Sequence, residues 1–108
     1  MENVLCVKEA AEMCDNDEEF MKEMVGVMRD DIAECLSLLA DAFDDNNSNQ
    51  TMAVAHRVRG QAANMAAKDL MLRSKTVEDA AKIGFCTKTE YLNLILSMKQ
   101  FVRCTKDV

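Results

Sequence analysis

Residues 20–43 read FMKEMVGVMRDDIAECLSLLADAF. Phe20, Met24, Met28, Ile32, Cys35, Leu36, Leu39 and Phe43 recur there mostly at steps of three and four. That spacing keeps them on one side of a helix for about six turns, so it predicts a long amphipathic helix with one face in a core. Asp15 is placed to cap its start, with Glu18 three residues on as the capping-box partner.

Working outward from this helix, a short helix is expected over 4–13. On the other side, the run DDNNSN at 44–49 breaks the pattern and reads as a turn. Its acids and amides resemble a calcium loop only superficially. Counted from Asp44, Asn49 stands where glycine is needed and Ala55 where the closing glutamate belongs; counted from Asp45, the closing position is His56. An EF-hand is therefore rejected. Ser48 is a candidate cap for a helix over about 49–66, and another is expected over 69–83, ending at Gly84. Thr87 and Glu90 form a capping box opening a last helix, with Leu92, Ile95, Met98 and Val102 on one side. The chain has no proline and three glycines, and Ala, Leu, Met, Glu and Lys abound. The expected architecture is all-α: one domain over 1–108, an antiparallel four-helix bundle with a short extra N-terminal helix.

Charge is distributed unevenly. Residues 1–50 hold 14 acids and 3 bases, whereas residues 51–108 hold 5 acids and 10 bases. The net charge of −6 argues against nucleic acid, because phosphate backbones require a basic footprint. A locally basic surface remains suited to an acidic protein partner. No apolar run approaches the ~20 residues of a membrane span, and residues 1–3 lack the basic start of a secretory signal, so a cytoplasmic protein is expected. Cys6, Cys14, Cys35, Cys86 and Cys104 form no Cys-x-x-Cys pair, and one histidine cannot complete a common zinc set; they read as small buried residues, with no metal site. With an apolar stripe committed on each helix, no dimer seam stands out and a monomer is expected.

The chemistry centres on His56, the only histidine. At about 100° per residue, Val54, Ala55, Val58, Ala62 and Met65 share one side of its helix. His56 points nearly the opposite way, with Gly60, Ala63 and Ala67 beside it and Arg59 on the flank. Glycine inside a helix costs roughly 1 kcal/mol relative to alanine. Facing outward, Gly60 has little packing reason to be there, whereas a missing side chain one turn from His56 leaves the imidazole open to a large partner. Ala63 and Ala67 extend the clear surface, and Met52 lies about one turn before His56; these three are candidate docking residues. Arg59 sets a positive charge near the ring, suited to phosphate oxygens. Neutral imidazole is a nucleophile at physiological pH, and no Gly-rich phosphate loop or nucleotide motif accompanies it. The pattern points to a phosphoryl acceptor whose donor brings the activated phosphate. Arg57 reads as a solvated charge, and Lys68, Arg73 and Lys75 as solubilising residues or the rim of a docking surface.

The segment Ala55-His56-Arg57-Val58-Arg59-Gly60-Gln61-Ala62-Ala63-Asn64-Met65 resembles histidine-containing phosphotransfer domains. Their pattern is a histidine, any residue, an apolar residue, Lys or Arg, then Gly, followed by small residues and an apolar one. His56, Val58, Arg59, Gly60, Ala62, Ala63 and Met65 match it. Ala66 replaces a frequent glycine, and Gln61, which the wheel turns away from His56, replaces a small or hydroxyl residue. The resemblance implies a phosphoryl carrier without its own ATP site or cofactor. His56 would be phosphorylated, Arg59 would stand in for the usual lysine, and Gly60 would admit the partner. The implied partners are receiver domains of response regulators and hybrid sensor kinases, with Mg²⁺ on the receiver. The alternative is an adaptor that binds receivers or kinases through the same face without being phosphorylated.

Overall fold

The computed structural model describes residues 17–64 and 67–106, and among these every regular element is a helix. They are α1 (Glu18–Asp44), α2 (Ser48–Asn64), α3 (Lys68–Lys82) and α4 (Lys88–Cys104). The helix expected over 4–13, the Asp15 cap, Cys6 and Cys14 lie outside the described residues.

The long first helix starts at Asp17, whose side chain accepts a hydrogen bond from the Phe20 amide at 3.1 Å. Its buried row is Met21, Val25, Met28, Ile32, Cys35, Leu39 and Ala42, in strict steps of four and three. Met28, Ile32, Cys35 and Leu39 of the expected stripe are in this row. The rest of the stripe is corrected: Phe20 is exposed, and Met24, Leu36 and Phe43 are only half-buried along its edges, whereas Met21, Val25 and Ala42 complete the buried face. Phe43 stacks on Tyr91 of α4, centroids 4.0 Å apart.

The turn at 45–47 contains Asn46 at φ 53°, a left-handed conformation that Asn tolerates better than most residues. Asn47, not Ser48, supplies the cap, its Oδ1 accepting from the Gln50 amide at 3.0 Å. On α2, Thr51, Val54, Ala55, Val58 and Ala62 are buried. The next helix buries Leu70, Ser74, Val77 and Ala81. It ends in a Schellman arrangement: the Gly84 amide donates to Ala81 O and the Phe85 amide to Ala80 O, each at 2.9 Å, with Gly84 at φ 77°. Thr87 and Glu90 form the expected capping box, the Thr87 amide donating to Glu90 Oε1 and the Glu90 amide to Thr87 Oγ1.

The last helix is rotated from the sequence expectation. Its buried residues are Leu94, Ser97, Met98 and Phe101, whereas Leu92 is exposed and Ile95 and Val102 are half-buried. Ser97 Oγ donates to Asp69 at 2.9 Å, and the Thr105 carbonyl at the helix end accepts from Arg29 Nη1 at 2.7 Å. These polar ties join α4 to α3 and α1 beside the buried face.

Helices α1 and α3 each pack on both α2 and α4, closing a four-helix ring. Gln61 meets Asp31 while Arg57 meets Glu34, the reversed order of antiparallel neighbours. Among the described residues no helix is long and apolar enough to cross a membrane.

Gly84→Ala forces a Cβ into a left-handed conformation, so thermal or urea unfolding should show a loss of about 1 kcal/mol.

Candidate functional site

The inward row of α2 consists of side chains no larger than valine, which draws the helix tightly against its neighbours. His56 projects to the other side, with 66% of its side chain exposed. Its ring is not loose there. Glu78, at half-buried depth on α3 with 16% of its side chain exposed, places Oε2 2.7 Å from His56 Nδ1. Its other oxygen, Oε1, accepts from Arg59 Nε at 2.7 Å. One carboxylate thus holds both residues the sequence had singled out.

This geometry selects a tautomer. A carboxylate accepts hydrogen bonds and donates none, so the Nδ1 proton lies between ring and carboxylate. The neutral imidazole then carries its free lone pair on Nε2. Arg59 Nη2 lies 3.2 Å from Nδ1. With that nitrogen already donating to Glu78, the approach is a close contact that brings positive charge beside the ring. Nothing in the linear sequence singled out Glu78: it stands 22 residues from His56 on another helix and belongs to no motif.

Gly60 is exposed, and a Cβ built on it would meet no atom within 4 Å. No neighbouring group demands glycine, so its packing role is nil and the open surface beside His56 is its consequence. Ala63 is exposed on the same strip, and Met52 is half-buried before His56. Ala67 requires a correction. It is 0% exposed and part of the core, so it cannot be a docking residue. The helical wheel was extrapolated past the end of α2 at Asn64; by residue 67 the chain has turned, and Ala67 caps α3 from inside, its amide donating to Ala62 O at 2.9 Å.

Arg57 is likewise more than a solvated charge. It pairs closely with Asp31 and, at 3.2 Å, with Glu34, both on α1. Gln61 Nε2 donates to Asp31 Oδ2 at 2.8 Å, which is the role the wheel left unassigned. The Arg57 hydrogen bond, helped by Gln61 and opposed by burial, holds the Asp31 carboxyl below its ordinary range. The Arg57 guanidinium is shifted upward in turn, chiefly by Asp31. Behind this pair, burial pushes the Cys35 thiol up to about 11. Among the described residues no group of His, Cys, Asp and Glu is arranged to hold a metal ion.

Two stability measurements follow from this geometry. Gly60→Ala should raise unfolding stability by about 1 kcal/mol, the helix-propensity difference unopposed by any clash. Asp31 should contribute stability above its unfolded pKa of about 3.9, and that contribution should fade as pH falls through its lower folded value. Asp31→Asn should therefore be less stable than wild type at neutral pH and converge on it in acid, as read from urea midpoints across pH.

The family model for the Hpt domain matches residues 23–97. Among curated protein sequences none matches significantly. Among solved structures, the crystal structure of the HPT domain from a sensor hybrid histidine kinase of Shewanella superposes with a TM-score of 0.89. The match is at 14% sequence identity and covers 99% of this chain and 94% of that one. The helical bundle is thus shared across nearly the whole length of both chains, and His56, Arg59 and Gly60 fall within the segment matched by the family model. The chain belongs to the Hpt domain family, the phosphocarriers of two-component signalling.

Proposed function

We propose that His56 accepts a phosphoryl group from the phospho-aspartate of one receiver domain and passes it to the aspartate of another. The observation that carries this reading is the Glu78–His56 contact of 2.7 Å at Nδ1, which leaves Nε2 as the exposed nucleophile.

In the forward step the Nε2 lone pair attacks phosphorus, a P–N bond forms, and the P–O bond to the donor aspartate breaks. The aspartate leaves with the bonding electron pair as a free carboxylate. The ring becomes a phosphorylated imidazolium, its Nδ1 proton still directed at Glu78, whose negative charge offsets the new positive one. Arg59 remains held through Nε, and its terminal nitrogens are the groups to offset charge on the phosphoryl oxygens. Transfer to the second receiver reverses these steps. Mg²⁺, expected on the receiver, would offset charge around its aspartate. The carrier contributes a pre-oriented nucleophile, a fixed cation and an open approach over Gly60.

Wild type mixed with a phosphorylated receiver should acquire an acid-labile, base-stable phosphoryl group, and His56→Gln should acquire none. Equal labelling of that variant would overturn the assignment. Glu78→Ala should keep its fold and slow transfer about tenfold, since one hydrogen bond to a charged group is worth about 1.5 kcal/mol. Gly60→Ala should slow transfer from receivers while leaving labelling by the small donor phosphoramidate unchanged.

A further inference from the structure

The surface around His56 is bordered by two helices of opposite charge. On α3, Lys68, Lys75 and Lys82 are all exposed and recur every seven residues. Seven residues make nearly two turns, drifting about 20° per repeat and rising about 10 Å, so the three ammonium groups line one edge. Glu78 fixes which edge this is, because it lies one turn from Lys75 and from Lys82 and reaches across to His56 and Arg59. The α3 edge is thus the one beside the histidine. Lys75 pairs with Asp79 at 3.0 Å, both side chains well exposed, and such a pair exchanges readily.

The α1 edge on the opposite side of His56 is acidic. Glu23, Asp30 and Glu34 are exposed there, next to the Asp31 that Arg57 and Gln61 contact. Each edge also carries one bare aliphatic side chain. Val27 is exposed one turn before Asp31. Leu72 is 61% exposed and, with Met71, forms the apolar part of a groove of about 340 Å³ whose other lining residues are Arg59, Lys68 and Lys75. No acid lines that groove.

The edges stand on either side of α2, on helices that face each other across the ring with axes about 11–14 Å apart. Screening at physiological ionic strength acts over about 8 Å, so each edge addresses its own part of a partner. We infer that this polarity sets the orientation in which a receiver domain docks: its acidic edge over α3, with an apolar side chain in the Leu72 groove, and its basic edge over α1. The inference rests on the phosphocarrier reading, which supplies the receiver as occupant. It adds which receivers fit and which way round they sit. A receiver with the opposite polarity meets like charge on both edges, which is a means of rejecting it.

The experiment combines Lys68→Glu, Lys75→Glu and Lys82→Glu in the full chain, with the milder triple Lys→Gln as a second variant; all three positions lie outside the histidine's own contacts. Phosphoramidate labelling of His56 serves as the reference. Receivers encoded in the same genome are phosphorylated with acetyl phosphate, and the fastest to discharge into wild type is used. Labelling by phosphoramidate should be unchanged in both variants. Transfer from the receiver should fall at least tenfold in kcat/KM for the Glu variant and less for the Gln variant, with the gap narrowing in 0.5 M NaCl. Glu23→Lys with Asp30→Lys should impair the same receiver independently. Unchanged transfer with intact labelling, or a loss insensitive to salt, overturns the docking polarity. Failure of wild type to be labelled by phosphoramidate counts instead against the carrier reading beneath it.

Discussion

The close seating of α2 between α1 and α3 is the constraint on which the site depends. Its inward side chains, Ala55, Val58 and Ala62 among them, are small and fully buried, so the helix axis lies near its neighbours. Only at that distance can Glu78 cross from α3 and reach Nδ1 of His56 at 2.7 Å while its second oxygen takes Arg59. A bulky residue at 55 or 62 would push α2 outward and open that bridge without touching the histidine. Core packing and the orientation of the His56 ring are therefore one property of the molecule.

The polar groups on the two sides of α2 do different work. Toward α1, Arg57, Gln61, Asp31 and Glu34 form a tie with no link to the histidine. Toward α3, Glu78 binds two side chains of α2 one turn apart, which restrains both the rotation of the ring and the position of the guanidinium. Exposed ion pairs add little stability singly. A carboxylate with 16% of its side chain exposed and two partners is worth more, and its greater consequence is the choice of ring nitrogen that it engages.

What remains on the surface is simple: one ring nitrogen, a strip cleared by Gly60 and Ala63, and two helix edges of opposite charge. A phosphocarrier needs little else, because the partner holds the activated group. The asymmetry between the edges originates in the chain itself, whose first half is acidic and whose second half is basic. Folding sets the acidic α1 on one side of the histidine helix and the Lys68, Lys75 and Lys82 edge of α3 on the other.

Much of this was legible without coordinates. The long amphipathic helix, the four-helix architecture, the Thr87–Glu90 capping box and the Gly84 stop all follow from local spacing and backbone chemistry, which act within a turn or two. The outward His56, the adjacent cation and the unexplained glycine are also local, since they share one helix. The tertiary structure decided what local pattern cannot. It drew the edges of the first helix's buried face, taking in Val25 and Ala42 and leaving out Phe20, and turned the last helix toward Leu94 and Phe101, because those choices depend on how neighbours pack. It buried Ala67, where a wheel drawn past Asn64 had placed it on the surface. It gave Arg57 and Gln61 partners on α1, and above all it brought Glu78 to His56. The physical reason is the same throughout: periodicity states which faces a helix can bury, but a contact between side chains 22 residues apart exists only after the helices have packed.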